Sequence, residues 1–436
     1  MMQTIDLRGL KPTRAELLAL VPRAQTDVAA ATEIAAQLIA DVRAGGEAAL
    51  LEQAERLDHV RPPRVRLGAA EIEAGIAGLA PEVRAALEEA IDRVRLATKA
   101  QLPTTSVTTL GPGADVVQRW SPVSRVGLYV PGGKAALASS VVMNVVPAQV
   151  AGVTSIALAS PAQKNFDGSI HPTILGAAGL LGVDEVYAMG GAGAIGAFAF
   201  GVPSLDLDPV QVITGPGNVF VAAAKRLVRG AVGIDAEAGP TEILVIADAS
   251  ADAFLVASDL LSQAEHDELA SAVLVTDSLD LAERVQLEVE RLANDAAHRE
   301  RVAEALAGRQ SAVVLVDDLN DAADFSNVYG PEHLEIQTAD PDAVLARIEN
   351  AGAIFLGDSS PVSLGDYLAG SNHVLPTGGQ ARFAAGLGAY TFLRSQQVIR
   401  YDRQALAAVE SRIVALANAE DLPGHAAAVS ARFAER

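Results

Sequence analysis

Eight short apolar runs, rich in Val and Ile, constrain most strongly what this 436-residue chain can fold into. They recur at intervals of roughly 25 to 40 residues, which leaves room for one helix between successive runs. Strands buried on both faces of a parallel sheet have this apolar character, and their alternation with helices predicts an α/β protein. The runs are residues 125–130, 153–160, 183–189, 210–213, 242–247, 272–276, 312–316 and 353–356.

Eight strands are also the number that a closed barrel needs, because periodicity does not fix strand order. Open sheets are favoured by three glycine turns that lead directly from a strand into a helix, at residues 131–133, 190–193 and 215–218. Helical patterns occupy residues 25–110 and return from residue 378 to the end. We therefore predict an α/β fold with two open, doubly wound, incomplete Rossmann-like domains and helical N-terminal and C-terminal extensions.

The charge and the cysteine content exclude several classes of protein. With 33 Lys and Arg against 54 Asp and Glu, the net charge of −21 repels a nucleic acid backbone, so no nucleic acid partner is expected. The chain has no Cys, so a bound transition metal would need nitrogen and oxygen ligands. The first 16 residues lack the pattern of a signal peptide, and we expect a cytoplasmic protein.

An uncharged stretch between Lys134 and Lys164 is long enough to suggest a membrane span. Asn144, Pro147 and Gln149 interrupt it. A buried helix, a turn and a buried strand account for this pattern better than a span does, so we expect no membrane association.

Polar clusters in the second half of the chain contain four of its seven His residues. Gln263 and His266 are spaced to share one face of a helix, which suits two ligands of one metal but also a solvated polar face. Glu332 and His333 follow Gly330-Pro331, which indicates a rigid turn at the entrance of a strand. Such a pair can divide proton transfer between a carboxylate and an imidazole, or it can be structural.

Two further clusters and a glycine pattern leave alternatives open. The loop that contains Asp366 and His373 could supply an oxygen ligand to the same metal, and His425 in the C-terminal tail is an available imidazole, although both segments could simply be solvated. Residues 191–196 match Gly-x-Gly-x-x-Gly, but no acidic residue follows about 20 positions later as dinucleotide binding normally requires.

Taken together, these segments resemble histidinol dehydrogenase, the last enzyme of histidine biosynthesis. The resemblance extends from about residue 25 to residue 430, with the motifs in the order and spacing of that family. It rests on residues 213–218 (ITGPGN), 239–242 (GPTE), 262–267 (SQAEHD), 330–335 (GPEHLE) and 365–377 (GDYLAGSNHVLPT).

The resemblance implies a homodimer with one zinc ion per subunit that oxidises L-histidinol to L-histidine through histidinaldehyde with two NAD. Carried over by position, it assigns Glu332 and His333 as the catalytic pair. It assigns zinc to Gln263, His266, Asp366 and His425, residues that also bind the substrate together with His333, Thr241, His373 and Glu420. His425 and Glu420 are expected from the partner subunit. NAD contacts are implied for Tyr129, Gly193 and Asn218.

The predicted domains follow from the strand pattern and from these roles. Residues 1–24 form an N-terminal arm, and residues 25–127 with 240–377 form a first α/β domain that carries the zinc ligands and the catalytic pair. Residues 128–239 form a second α/β domain with the NAD turns, and residues 378–436 form a helical tail that docks on the partner.

Two positions depart from the pattern of the family. Gly193 stands where the family usually has Gln, so a side-chain contact to NAD is missing or is replaced by the backbone, and Thr241 replaces the usual Ser but keeps the hydroxyl. Two rival functions remain compatible with the residues alone: a zinc hydrolase and a metal-stabilised dimer that binds small imidazole or amino ligands. A related amino-alcohol dehydrogenase with another substrate is a further alternative.

Overall fold

The structure, a computed structural model, describes residues 2–24, 28–132, 136–237 and 239–434. The chain divides into two compact units. The larger one consists of residues 1–101 and 124–392, and the smaller one consists of residues 102–123 and 393–436.

Strands of the described part of the larger unit form two open parallel sheets. The first has the strand order β1-β11-β10-β9-β12-β13 and the second has the order β6-β5-β4-β7-β8. These strands are β1 (Gln3–Asp6), β4 (Arg125–Tyr129), β5 (Ser155–Ser160), β6 (Glu185–Ala188), β7 (Val212–Thr214), β8 (Gly233–Ile234), β9 (Glu242–Ala247), β10 (Ser271–Thr276), β11 (Ala312–Leu315), β12 (His333–Gln337) and β13 (Ala353–Leu356).

Helices connect the strands and cover the sheets. Those described in the larger unit are α1 (Arg14–Leu20), α2 (Val28–Gly45), α3 (Glu47–Gln53), α4 (Ala69–Ala77), α5 (Pro81–Lys99), α6 (Ala138–Ala151), α7 (Pro172–Leu180), α8 (Gly191–Phe200), α9 (Val219–Val228), α10 (Ala253–Ala264), α11 (Leu279–Asp295), α12 (Arg299–Ala307), α13 (Leu319–Tyr329), α14 (Pro341–Leu345) and α15 (Val362–Tyr367). A π-helical turn, Ala54–Asp58, continues α3, and short 3-10 turns occur at Lys164–Phe166, Pro203–Leu205, Gln380–Arg382 and Ala389–Phe392.

The central strand β9 shows why the predicted runs are apolar throughout. Ile243 and Val245 pack against α10, α11 and α12 on one face of the sheet, whereas Leu244 and Ile246 pack against α1 and α13 on the other. All four side chains are fully buried. A strand covered on both faces cannot alternate apolar and polar residues, and this is the doubly wound arrangement.

The smaller unit contains a three-stranded antiparallel sheet and two helices among its described residues. The strand order is β14-β3-β2, with β2 (Ser106–Gly111), β3 (Ala114–Pro122) and β14 (Leu393–Tyr401). The helices are α16 (Arg403–Ala419) and α17 (Pro423–Ser430).

The structure confirms the fold class and each of the eight predicted strands, and its open sheets exclude the barrel. The prediction of helical patterns over residues 25–110 and from residue 378 to the end was wrong in part, because β2 and β14 are strands. Strands β2 and β14 are mostly exposed, so no apolar pattern marks them. The stretch after Lys134 forms α6 and β5, and no helix in the described residues is both long and apolar enough to cross a membrane.

Candidate active site

Glu332 lies in a turn between α13 and β12, the position that the sequence predicts for it. Gly330 ends α13 with a φ of 58°, a left-handed conformation that Gly adopts without strain. The Glu332 side chain is 6% exposed. Its Oε2 accepts hydrogen bonds from Thr241 Oγ1 at 2.6 Å and from the backbone N–H of Glu242 at 2.9 Å. Thr241 therefore positions Glu332 in this structure.

Burial raises the pKa of Glu332 to about 7, although the hydrogen bonds from Thr241 and from the Glu242 backbone oppose this rise. The negative charge of Asp366 adds to the increase. A carboxyl group with a pKa near 7 is present in both protonation states at neutral pH, which is the property that a general acid or base needs.

His333 is the first residue of β12 and is 5% exposed. Its Nδ1 lies 3.1 Å from the backbone oxygen of Glu242, which can only accept, so Nδ1 carries the proton. Nε2 is then the unprotonated nitrogen. Burial lowers the pKa of His333, so the imidazole is neutral and Nε2 is free to take up a proton.

Gln263 is fully buried at the end of α10. Its Nε2 donates to Thr241 Oγ1 at 2.6 Å, which joins it to the hydroxyl that also binds Glu332. Its Oε1 is buried and has no hydrogen-bond partner among the described residues. An unsatisfied buried carbonyl oxygen is costly, and a cation or a donor from a ligand would remove that cost.

The prediction that His266 shares a helical face with Gln263 was wrong, because α10 ends at Ala264. His266 Nδ1 lies 3.1 Å from the backbone oxygen of Ser262, so the imidazole occupies the acceptor that the next helical N–H would have used. The contact leaves Nε2 available as a ligand and orients the ring through a carbonyl group, as is common for His residues that bind metals.

Asp366 lies in α15, and His373 lies in the loop that follows it. His373 Nδ1 lies 3.0 Å from the backbone oxygen of Asp366, and Nε2 lies 3.0 Å from Ser140 Oγ. Both ring nitrogens therefore have protein partners. Burial lowers the pKa of His373, so this imidazole is neutral.

These groups lie near one another. The charges of both Asp366 and His266 act on the pKa values of Glu332, His333 and His373. An amide oxygen, an imidazole and a carboxylate form a donor set that fits zinc. No cluster of three or more His, Asp or Glu suited to a metal ion occurs within the described part of a single chain. Of these residue types, the predicted set contains His266, Asp366 and His425, and His425 is predicted to come from the partner subunit.

Glu420 and His425 belong to the smaller unit. Glu420 ends α16, His425 lies in the first turn of α17, and both residues are exposed. The connection between the two helices contains Asp421 in a left-handed conformation, with a φ of 56°. Both side chains are thus free to contact groups outside this unit.

The turns predicted to bind a nucleotide follow β4, β6 and β7 at the carboxyl end of the second sheet. Tyr129 is buried, and its hydroxyl accepts a hydrogen bond from the N–H of Gly191 at 3.1 Å. Burial raises the pKa of Tyr129 to about 12, so the phenol stays protonated. Asn218 caps α9 by accepting from the N–H groups of Phe220 and Val221. Gly133 of the first turn lies outside the described residues.

Gly193 packs against Gln53 in the first turn of α8. A Cβ at residue 193 would lie 2.1 Å from Gln53 Oε1. The Gln53 side chain is buried, and its Nε2 donates to the backbone oxygen of Leu38 at 2.9 Å. The side chain of Gln53 thus fills the space that a larger residue at position 193 would need.

A buried ion pair that the sequence analysis missed fixes the turn at Gly215. Lys225 is 1% exposed, forms an ion pair with Asp235, and donates to the Gly215 oxygen at 3.0 Å. Asp235 Oδ2 accepts from the N–H of Gly215 at 2.8 Å. Gly215 has a φ of 119°, and a Cβ there would lie 1.9 Å from the oxygen of Tyr129. The available signal was a Lys that follows six apolar residues in a helical stretch, although Arg226 directly after it is also basic.

A second missed feature is a pair of carboxyl groups behind the site. Glu335 is 1% exposed and lies two residues beyond His333 on β12, and Asp259 lies one helical turn before Gln263 on α10. The two carboxyl groups hydrogen-bond to each other. Gln337 Nε2 donates to both at 3.0 Å, and Glu335 Oε1 accepts from the N–H of Val362 at the start of α15 at 2.8 Å.

Comparison with known proteins gives a consistent result. The family model for histidinol dehydrogenase matches residues 21–433. A histidinol dehydrogenase of Leifsonia xyli subsp. xyli is 69% identical over 435 residues, with 100% of both chains covered. One of Thermobifida fusca is 57% identical, with 98% of this chain and 97% of the relative covered.

A solved structure gives the same family as the sequence comparisons. The crystal structure of histidinol dehydrogenase from Elizabethkingia anophelis superposes with a TM-score of 0.92 at 32% sequence identity. The match covers 99% of this chain and 98% of that one. The likeness therefore extends over both compact units.

Proposed function

Because the chain belongs to the histidinol dehydrogenase family, we propose that it oxidises L-histidinol to L-histidine through a bound aldehyde, with NAD as the oxidant. The family makes the protein an oxidoreductase of histidine biosynthesis. One observation carries the detailed proposal: a buried Glu332 with a pKa of about 7 lies beside a neutral His333 and shares Thr241 with Gln263, whose Oε1 has no hydrogen-bond partner among the described residues.

We assign zinc binding to Gln263, His266 and Asp366, with His425 from the partner subunit as the fourth ligand. The support is that, among the described residues, Gln263 Oε1 has no hydrogen-bond partner and the contact of His266 through Nδ1 leaves its Nε2 available. The oxygen and nitrogen character of the set also suits zinc. When bound, zinc would hold the amino and imidazole groups of the substrate and so fix the position of the reacting carbon. Glu420 of the partner subunit is assigned a substrate contact.

The catalytic pair divides two proton transfers. His333 takes the proton of the alcohol at Nε2, the nitrogen that the Glu242 backbone leaves unprotonated. Glu332 activates the water that converts the aldehyde into its hydrate, and its near-neutral pKa suits this step. Thr241 orients Glu332, and His373 is assigned a substrate contact next to Asp366.

We assign NAD to the turns at the carboxyl ends of β4, β6 and β7, where Tyr129, Gly193 and Asn218 lie. The support is that residues 190–193 contribute no large side chain and open α8 with backbone N–H groups that can approach a pyrophosphate. When bound, NAD would accept the hydride of each oxidation.

We also propose a homodimer. The smaller unit exposes large apolar side chains, among them Val107, Leu110, Ile399 and Leu416, with exposed fractions between 60% and 70%. Exposed apolar surface of this kind is typical of interfaces between subunits.

The experiment is to strip the protein of metal, reload it with zinc, and follow NADH absorbance with L-histidinol. The proposal predicts NADH formation only after reloading. Equal activity of stripped and reloaded protein would refute the zinc assignment, and hydrolysis of an ester or amide without NAD would favour a zinc hydrolase.

A further inference from the structure

A series of buried, hydrogen-bonded polar groups joins His373 to the turn after β7, residues 215–218, which we call the nucleotide turn. His373 Nδ1 donates to the Asp366 backbone oxygen, so its Nε2 is the acceptor and Ser140 Oγ donates to it at 3.0 Å. Ser140 lies in the first turn of α6. The imidazole is thus held between α15 and α6 in a single tautomer.

The series continues through α6 to the end of β7. Asn144 Nδ2 donates to the Ser140 backbone oxygen at 2.7 Å, and Asn144 Oδ1 accepts from Thr214 Oγ1 at 2.7 Å. Ser140, Asn144 and Thr214 are each at most 1% exposed. Thr214 directly precedes Gly215, whose N–H and C=O are fixed by Asp235 and Lys225.

Packing does not explain a polar residue at position 144. Its neighbours Val141, Val145 and Val146 are fully buried, and an apolar side chain there would add to the same core. A buried amide is tolerated only when its hydrogen bonds are made, and here Nδ2 binds a backbone oxygen of its own helix while Oδ1 connects that helix to β7.

A second contact ties the loop of His373 to the same helix. Asn372 Nδ2 donates to the Met143 backbone oxygen at 2.7 Å, and Asn372 Oδ1 accepts from the N–H of Val374 at 2.9 Å. Two adjacent loop residues are therefore attached to neighbouring positions of α6.

We propose that Asn144 and Thr214 are positioning residues that hold the imidazole of His373 in register with the nucleotide turn at Gly215. The inference rests on the proposed function, because it assumes a substrate on the His373 side and NAD on the turn. Both oxidations need the reacting carbon aligned with the coenzyme, and a displacement of about 1 Å costs on the order of 100-fold in rate.

The test is a double-mutant cycle on kcat with Thr214→Val and Ser140→Ala. Thr214→Val removes the hydroxyl and keeps the shape, and Thr214→Ser is the matched control that keeps the hydroxyl. Each single variant removes one hydrogen bond of the series that joins His373 to Thr214, so each is expected to lower kcat about tenfold with a smaller change in KM. The double variant is expected to have a kcat no lower than that of either single variant, because the series is already interrupted. Losses that multiply to about 100-fold would overturn the proposal.

A second readout does not depend on turnover. With ¹⁵N-labelled imidazoles on the full chain, the Nε2 resonance of His373, assigned by its loss in His373→Asn, reports its hydrogen bond. Thr214→Val should shift this resonance through Asn144 and Ser140, and Thr214→Ser should restore it. An unchanged resonance would overturn the inference. If Thr214→Val fails to fold, Thr214→Ala replaces it. Wild-type protein that makes no NADH from histidinol would instead refute the proposed function, and the resonance would still decide the link.

Discussion

The carboxyl pair of Glu335 and Asp259 predicts how the stability of the protein depends on pH. Burial and the neighbouring Asp259 raise the pKa of Glu335 from 4.5 to about 8, and burial also raises the pKa of Asp259. The pair holds a proton at neutral pH that the unfolded chain releases. We therefore choose Glu335→Gln as the perturbation, because Gln resembles the protonated acid in shape and in its ability to donate and accept hydrogen bonds.

The sign follows from proton binding. Between pH 4.5 and about 8 the folded state binds more protons than the unfolded state, so the free energy of unfolding falls as the pH rises through this window. Below pH 4.5 Glu335 is protonated in both states and contributes no pH dependence. A rise from 4.5 to about 8 corresponds to at most about 5 kcal/mol. The amide introduced by Glu335→Gln can donate to Asp259 at every pH and so avoids this loss.

The assay is urea unfolding at pH 5 and pH 9 for wild type, Glu335→Gln, and Glu300→Gln as an exposed control on α12. Wild type and Glu335→Gln should have similar stability at pH 5. At pH 9 Glu335→Gln should be more stable than wild type by about 2 to 5 kcal/mol, whereas Glu300→Gln should follow wild type at both pH values. If the free energy of unfolding of the wild type changed as little between pH 5 and pH 9 as that of Glu335→Gln, the assignment of a proton shared by Glu335 and Asp259 would be refuted.

Three further predictions concern Gly193, Lys225 and Glu332. In urea unfolding, Gly193→Ala should destabilise the wild-type protein by about 1 to 3 kcal/mol, because the new Cβ forces Gln53 to leave its hydrogen bond to Leu38. In the Gln53→Ala variant, where that side chain is gone, Gly193→Ala should instead stabilise the protein by up to about 1 kcal/mol. Stabilisation in both backgrounds would contradict the argument that Gln53 fills the space beside Gly193. Lys225→Met should lower the free energy of unfolding by about 3 to 5 kcal/mol, because it leaves the charge of Asp235 buried without a partner. It should also weaken NAD binding in a fluorescence titration, and unchanged NAD binding would refute the claim that the ion pair fixes the turn at Gly215 for NAD. Glu332→Gln should slow the second oxidation about 100-fold or more and the first much less in stopped-flow traces; equal slowing would refute the division of roles.

The apolar runs were sufficient to predict the strands because a doubly wound sheet is covered on both faces. Ile243 and Leu244 are adjacent in β9, point to opposite faces and are both fully buried, so the run stays apolar throughout. The same rule explains the strand that was missed at the C-terminal end. In β14, Ile399 is 70% exposed, so the strand has no buried face that a pattern could reveal.

The motifs also predicted the family, which the comparisons confirm. They could not predict how the residues are held. His266 lies beyond the end of α10 with its imidazole bonded to the Ser262 oxygen, and Asn144 bonds to Thr214, which is 70 residues later in the chain. Contacts of this kind are set by tertiary packing and leave no local pattern. The catalytic, substrate-binding, metal-binding and NAD-binding roles assigned to the site residues all stay predictions.

The most direct test of the proposed function is the number of NADH molecules formed per molecule of L-histidinol when the reaction of the zinc-loaded protein runs to completion. The account predicts two, with L-histidine as the product and no free aldehyde. One NADH per substrate with released aldehyde, or none, would contradict it.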